Sequence, residues 1–271
     1  MPECTEHRAQ LDGQPLFWRS APVPPGGGTP VYLHGVPTSS DDWLGFLART
    51  GGLAPDLPGF GRSTKRGDGD FTMAGYARFV ERFLDLTGTE RVQLVVHDWG
   101  AAGLIWAQRN PERVERLVVI AAVPLLPGYR WHRVARAWRT RGVGELVMGV
   151  TTRRGLARGL PAELVGPAWR HFDQGTQRAI LRLYRSSPED ELARAGADLG
   201  RLACPALVLW PDRDPYIPAR FGEAYAAALP GAQLVRLPGA GHWPWIRRPE
   251  VVDAVADFLA GRGIPAAAAA A

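Results

Sequence analysis

The sequence predicts an α/β fold in which helices flank a mostly parallel sheet. Short apolar runs alternate with segments of helical periodicity along most of the chain, which implies parallel strands joined by right-handed crossovers. One run, residues 92–96, is rich in β-branched side chains, as is typical of a strand buried on both faces. A helix follows almost immediately at residues 101–110, where Pro111 ends it.

The other elements continue this alternation in chain order. Residues 53–63 contain a strand end and a Gly/Pro turn, and Thr72 is placed to cap the next helix. Further strands are predicted at residues 14–19, 31–33, 114–121, 204–210 and 233–237. Further helices are predicted at residues 41–49, 72–86, 219–229 and 249–260.

The pattern changes at residues 124–203, which consist of broken helices with no convincing strand. Such an insertion leaves from the carboxyl end of the sheet, where ligands bind in folds of this kind, so we expect a helical lid (cap) there. The core then comprises residues 1–123 and 204–262. The low-complexity tail, residues 263–271, is predicted to be disordered.

The composition is typical of a single globular domain, and we expect no metal site. The 271 residues are 46% hydrophobic and 22% charged, and no membrane-length apolar run or leader pattern is visible, so we expect a cytoplasmic protein. Cys4 and Cys204 lie outside any ligand cluster and are expected to be free thiols. Residues 124–203 hold 14 Arg against 7 Asp and Glu. Because these arginines are spaced along amphipathic helices, we attribute them to a solvated surface and expect no nucleic-acid or membrane partner.

The junction after residue 96 carries the candidate chemistry. A strand joined to a helix by almost no linker projects one side chain above the sheet edge, and that residue is Asp98. A serine that attacked a saturated carbon would form an ether, whereas a carboxylate forms an ester that water can open. Asp98 therefore indicates an epoxide carbon or a carbon bearing a halide. The alternative is a surface aspartate that merely caps the helix.

From residue 34 to the final helix the chain contains five motifs, which are HGVP at 34–37, DLPGFGRS at 56–63, HDWG at 97–100, WPDRD at 210–214 and GAGHW at 239–243. They resemble those of the α/β-hydrolase superfamily, in the branch of epoxide hydrolases and haloalkane dehalogenases. No G-x-S-x-G occurs, which argues against a serine esterase. Val96, Pro211 and Val36 depart from the usual residues at their positions.

The resemblance implies a set of roles. Asp98 is the nucleophile, His242 the base that activates water, and Asp214 the acid that orients it, with Asp212 as the rival acid. The amides of Trp99 and Val36 form the oxyanion hole, and a cis bond precedes Pro37. His97 is expected to be a satisfied buried histidine, and His34 is expected to bond within its own loop. Substrate-binding candidates are His34, Pro37, Trp131, Trp169 and Trp243.

The possible activities differ in the leaving group and in the hydrogen-bond donors that it needs. By the same resemblance, an epoxide oxygen needs O–H donors, for which lid residues Tyr184 and Tyr129 are candidates; a halide needs N–H donors such as Trp99 with Trp131, Trp138 or Trp169. Tyr184 lies on the apolar face of the predicted helix at 178–185. We therefore predict a cofactor-free epoxide hydrolase that forms diols from small hydrophobic epoxides, as a monomer or homodimer. The alternatives are a haloalkane dehalogenase, an esterase-like hydrolase, or a non-catalytic small-molecule receptor.

Overall fold

Residues 4–263 are described by a computed structural model. They contain an eight-stranded sheet in the order β1-β2-β4-β3-β5-β6-β7-β8. The pairs from β4 to β8 are parallel, and β2 pairs antiparallel with β1 and β4, so the predicted mostly parallel sheet is confirmed. The strands are Thr5–Leu11, Gln14–Ala21, Thr29–Leu33, Gly52–Pro55, Val92–His97, Val114–Ile120, Ala206–Pro211 and Ala232–Leu237 (β1 to β8). The predicted disordered tail lies outside the described residues apart from Gly263.

Eleven α-helices occur in the described residues, and none of those is long and apolar enough to cross a membrane. Residues predicted as one helix at 41–49 form a 3₁₀ turn, Ser40–Trp43, and then a shorter α-helix. Thr72 caps the second helix by accepting from the Gly75 amide, as predicted. The helices are Leu44–Thr50, Met73–Leu86, Ala102–Arg109, Arg133–Arg139, Val143–Gly149, Arg153–Leu156, Ala162–His171, Gln174–Arg185, Glu189–Ala195, Arg220–Ala228 and Glu250–Leu259 (α1 to α11).

The strand β1 is absent from the predicted elements. It forms a hairpin with β2 through Asp12 and Gly13, whose φ angles are 51° and 72°. Two positive φ angles are what a two-residue hairpin turn requires, and Asp-Gly is a favoured pair for it. The turn signal was therefore present in the sequence, but β1 is mostly exposed and lacks an apolar run.

Strand β5 lies in the middle of the sheet and divides the core. Leu94 and Val96 belong to the cluster packed with α2 and α3, whereas Val95 belongs to the cluster on the opposite face. Because alternate side chains leave opposite faces, a strand covered on both sides must be apolar throughout. This burial explains the uninterrupted apolar run that predicts β5.

Helices α4 to α9 all lie between β6 and β7, within residues 121–205, every one of which is described. Asp98 follows β5, Asp214 follows β7 and His242 follows β8, so the candidate catalytic residues lie at the carboxyl edge of the sheet. This is the edge at which open α/β sheets bind ligands. The division into a core and a lid at residues 124–203 is a proposal that fits this arrangement.

Candidate active site

Asp98 stands at a tight turn between β5 and α3. Its φ of 50° lies in the left-handed region, which non-glycine residues adopt rarely and mostly at functional sites. Its side chain is 8% exposed. Gly100 permits the turn, because a Cβ there would overlap the carbonyl group of Leu33. The carboxylate is therefore held at a fixed place above the sheet edge and away from bulk water.

The loop after β3 reaches over this carboxylate. The amide of Val36 donates to Asp98 Oδ1 at 2.8 Å, and the peptide bond between Val36 and Pro37 is cis. Gly35 allows the approach, since a Cβ at that position would lie 2.8 Å from Asp98 Cγ. The Val36 amide is thus placed as one donor of an oxyanion hole. Trp99 begins the turn after Asp98, and its amide as the second donor stays a prediction.

His242 lies between two carboxylates. Its Nε2 is 3.4 Å from Asp98 Oδ2, and its Nδ1 is 2.6 Å from Asp214 Oδ2. Asp214 Oδ1 in turn accepts from the amides of Tyr216 and Ile217 at 2.7 and 3.0 Å. Since a carboxylate only accepts, Nδ1 carries the hydrogen and Nε2 faces Asp98.

Asp212, the rival acid, is exposed, and its carboxylate accepts from the amide of Gly239. The structure therefore brings Asp214 to the imidazole, and the side chain of Asp212 is engaged in closing the turn between two core loops. The predicted spacing of four residues after Trp210 selects the aspartate that contacts His242.

Asp98 and His242 shift each other's pKa, and the charge of Asp214 adds to the shift of His242. Burial alone would raise the pKa of Asp98, but the hydrogen bond and charge of His242 outweigh it and hold that pKa below its ordinary value. Burial alone would lower the pKa of His242, but the charge of Asp214 and the bonds to both carboxylates raise it to about 10. The free site therefore holds an imidazolium between two carboxylates at neutral pH.

Two histidines near the site have structural contacts. His97 Nε2 donates to the carbonyl of His242 at 2.9 Å, and burial lowers the pKa of His97 to about 3. Its Nδ1 has no hydrogen-bond partner among the described residues, so the prediction of a satisfied buried histidine is only half right. His34 Nδ1 donates to the Gly35 carbonyl and its Nε2 accepts from the Leu57 amide. Since both ring nitrogens of His34 are occupied, neither is free to hydrogen-bond a substrate, and the expected role within its own loop fits; its substrate-binding assignment stays a prediction.

An aromatic cluster lies next to Asp98. The rings of Trp99 and Trp131 stack at 5.3 Å, and Tyr184 on α8 lies 4.8 Å from Trp99 and 4.9 Å from Trp131. Tyr129 lies edge-on to Trp131 at 5.0 Å. Burial, and then the charge of Asp98, raise the pKa of both tyrosines. Both hydroxyls therefore keep their protons at neutral pH, and their role as donors to a leaving group stays a prediction.

The predicted tryptophans differ in whether the indole N–H is available to bind a leaving group. The indole N–H of Trp131 donates to the carbonyl of Ser187 at 3.1 Å, so it is not free to bind a leaving group. Trp99 Nε1 is buried without a well-aligned hydrogen bond to a described residue, although it lies near enough to the Tyr184 hydroxyl to oppose the rise in the pKa of that tyrosine. Trp169 is partly exposed and stacks on Phe172, so its assignment to the substrate pocket is not supported by any ring contact with the cluster.

The other two substrate-binding candidates lie on different sides of the catalytic residues. Trp243 packs edge-on to His242 at 4.6 Å and also contacts the ring of His97 at 5.7 Å. It therefore supports the base from behind. Pro37, in the loop after β3, is half-buried beside Val36. A role of either residue in binding substrate stays a prediction.

His132 and Tyr216 are absent from the predicted site. His132 caps α4 by accepting from the Ala135 amide through Nδ1 at 3.3 Å, and burial lowers its pKa to about 4, so its Nε2 carries a hydrogen. Tyr216 lies between the two histidines, with ring centroids 5.0 Å from His132 and 5.1 Å from His242. Its hydroxyl donates to the Gly159 carbonyl at 2.7 Å, which ties the loop after β7 to the inserted helices. Nothing local in the sequence indicates either contact.

Comparisons with known proteins agree with this geometry. The model of the alpha/beta hydrolase family matches residues 31–255. Haloalkane dehalogenase 1 of Mycobacterium bovis is 33% identical over 235 residues, which cover 80% of this chain and 75% of that protein. A haloalkane dehalogenase of Agrobacterium fabrum is 42% identical over 135 residues, and the match spans 45% of this chain and only 44% of that protein.

Two solved structures show the same fold. The haloalkane dehalogenase DbeA of Bradyrhizobium elkani has a TM-score of 0.81 and 23% identity, over 96% of this chain and 98% of that one. The epoxide hydrolase CorEH has a TM-score of 0.78 and 21% identity, over 96% of this chain and 99% of that one. At these identities the likeness is one of fold.

Proposed function

This chain belongs to the alpha/beta hydrolase family, in the branch of haloalkane dehalogenases and epoxide hydrolases, and from that premise we propose that it opens epoxides through Asp98. The carrying observation is the continuous contact from Asp98 through His242 to Asp214, at 3.4 and 2.6 Å. An aspartate that attacks a saturated carbon forms an ester, and water can hydrolyse this ester at its carbonyl carbon. An aspartate nucleophile therefore suits substrates that react at saturated carbon.

The first step forms an ester. Asp98 Oδ2 attacks an epoxide carbon, the ring C–O bond breaks, and the oxygen that leaves takes a proton from a tyrosine hydroxyl. The depressed pKa of Asp98 favours this step, because the carboxylate is ionised well below neutral pH. Oδ1 keeps its hydrogen bond from the Val36 amide and becomes the carbonyl oxygen of the ester.

The second step hydrolyses that ester. Water gives a proton to His242 Nε2, its oxygen adds to Asp98 Cγ, and the negative charge on Oδ1 is met by the Val36 amide. The bond from Cγ to Oδ2 then breaks, and the diol oxygen takes the proton from His242. The proton of the regenerated carboxyl returns to His242 Nε2, which restores the imidazolium of the free site, so the net reaction is epoxide plus water to diol.

Formation of the ester on Asp98 allows His242 to act as a base. In the free site two carboxylates raise the pKa of His242 to about 10, and an imidazolium cannot take a proton from water. Alkylation of Asp98 removes one of those negative charges, so the pKa of His242 falls in the intermediate, and the proton on Nε2 passes to the tyrosine that gave its own proton to the epoxide oxygen. Asp214 remains to hold Nδ1–H, which leaves Nε2 free for water.

The tyrosines favour an epoxide. Opening an epoxide produces an alkoxide, which needs a proton, and the hydroxyls of Tyr184 and Tyr129 stay protonated next to Asp98. Both rings contact Trp131 in the aromatic cluster. We assign Tyr184 as the principal donor because its ring also lies 4.8 Å from Trp99, the residue that follows the nucleophile.

Haloalkane dehalogenation is the second candidate. It is favoured by the buried indole N–H of Trp99, which makes no well-aligned hydrogen bond within residues 4–263 and could bind a halide. Relatives that carry the name haloalkane dehalogenase support it as well. A halide needs hydrogen-bond donors but no proton, so this reaction would not depend on the acidity of Tyr184.

A paired assay distinguishes the two activities. Purified protein is given styrene oxide or a bromoalkane, and diol formation and bromide release are followed. His242→Gln should trap the ester, which mass spectrometry detects as the mass of the whole epoxide, or of the alkyl group without bromine, on the Asp98 peptide. Asp98→Asn is the matched control and should give no adduct. Turnover by His242→Gln without an adduct would refute the proposed mechanism.

A further inference from the structure

The inserted helices expose an apolar stripe. Val143, Leu146 and Val150 lie three and four residues apart along α5 and its carboxyl end, with relative exposures of 45%, 67% and 67%. Val134 on the adjacent α4 is 47% exposed. Residues at this spacing share one helix face. Leu146 and Val150 are the two most exposed of the large apolar side chains in the described residues.

Unpaired arginines precede and follow this stripe along the chain. In residues 133–158, all of which are described, six exposed arginines have no carboxylate within 4.0 Å and no side-chain hydrogen bond. The one acidic residue in this range, Glu145, is already paired with Arg185. We call the four apolar residues and these six arginines the basic apolar face. Its arginines are Arg133, Arg136, Arg141, Arg153, Arg154 and Arg158.

Helix α4 carries residues of both the basic apolar face and the core of the inserted helices. The buried side of α4 carries Ala135, and Trp138 on the same helix packs against Tyr184 of the aromatic cluster at 5.0 Å. Val134 lies one turn before Trp138 on the same helix and is exposed. The arginines that the sequence assigns to a solvated surface therefore border aliphatic side chains, a feature that the sequence does not reveal.

We infer that the basic apolar face docks on an anionic lipid surface. Aliphatic side chains flanked by arginines match the interfacial region of a membrane, in which the apolar groups enter the acyl boundary and the arginines meet the headgroups. A nucleic acid would satisfy the arginines but leave Leu146 and Val150 in water. A second copy of this chain would bring two sets of arginines together and repel it. An anionic lipid surface accommodates both the aliphatic side chains and the arginines.

Vesicle sedimentation tests this docking on the full chain, independently of the enzyme activity. The protein should bind vesicles of phosphatidylcholine mixed with phosphatidylglycerol, and bind pure phosphatidylcholine far more weakly. Because each arginine near such a surface contributes about fivefold in affinity, Arg153→Gln with Arg154→Gln should weaken binding about 25-fold. Added salt should weaken wild-type binding and affect this double variant less. Leu146→Ser with Val150→Ser should also weaken binding, at any salt concentration.

Matched substitutions away from the face serve as controls. Arg109→Gln with Arg201→Gln removes the same charge from two exposed arginines that form no ion pair with a described residue, and Leu86→Ser removes an exposed leucine at the end of α2. These controls should bind as wild type does, and thermal unfolding should show that every variant is folded. Equal binding to both vesicles, or equal losses in face and control variants, would overturn the inference. So would DNA binding or self-association that depends on the face without any vesicle binding.

Discussion

Gly35→Ala is the substitution that most directly tests how the candidate nucleophile is positioned. Gly35 lies in the loop that brings the Val36 amide to Asp98 Oδ1 at 2.8 Å. An added Cβ would lie 2.8 Å from Asp98 Cγ and still closer to Oδ1, where ordinary contacts are 3.4–4 Å. The loop and the carboxylate must therefore separate by about 1 Å, which lengthens the bond from the Val36 amide.

The two consequences have different magnitudes. Forcing a methyl group into a packed site costs about 1–3 kcal/mol of stability. A misplacement of about 1 Å at a reacting group costs on the order of 100-fold in rate. We therefore expect a folded Gly35→Ala protein whose kcat/KM falls by about 100-fold, with both ester formation and ester hydrolysis slowed.

Steady-state kinetics with whichever substrate is turned over, together with thermal unfolding, measure both effects. Gly45→Ala is the control, because a Cβ at Gly45 meets no heavy atom within 4 Å and alanine favours its helix by about 0.5–1 kcal/mol. Gly45→Ala should keep full activity and unfold at the same or a slightly higher temperature. A Gly35→Ala enzyme with kcat/KM within twofold of wild type would show that Asp98 is not held as described.

Four further outcomes are expected. Asp214→Asn should lower kcat by about 10⁴-fold while leaving adduct formation detectable, because His242 loses the acceptor that orients it; an unchanged kcat would exclude Asp214. Tyr184→Phe should slow diol formation and leave bromide release unchanged, and equal effects on both would remove Tyr184 as a proton donor. One turnover in heavy-oxygen water should label the Asp98 peptide and not the product. Because its carboxylate neighbours raise the pKa of His242 to about 10, the protonated imidazole stabilises the fold most below about pH 6.5, and this contribution disappears as pH rises through 10. The difference in melting temperature between wild type and His242→Gln should narrow over that range, and a gap independent of pH would contradict the assignment.

The sequence by itself determined seven of the eight strands and the position of the nucleophile. Strand β5 is recognisable because burial on both faces demands a continuous apolar run, and Asp98 because the turn after that strand has almost no linker. These are local properties, set by neighbours along the chain. The same is true of the cap at Thr72, which bonds three residues ahead.

Only the tertiary structure decided which polar groups are available for chemistry. Trp131 looks like a possible halide donor in the sequence, yet its N–H is bonded to Ser187, which is 56 residues away. Asp214 is distinguished from Asp212 by contact with an imidazole 28 residues further on, and Tyr216 meets His242 from the same loop. A side chain can donate only what its spatial neighbours leave unbonded, and those neighbours come from distant parts of the chain. The sequence therefore gives the residue types, whereas the fold decides which of their donors and acceptors remain unbonded and which groups are charged.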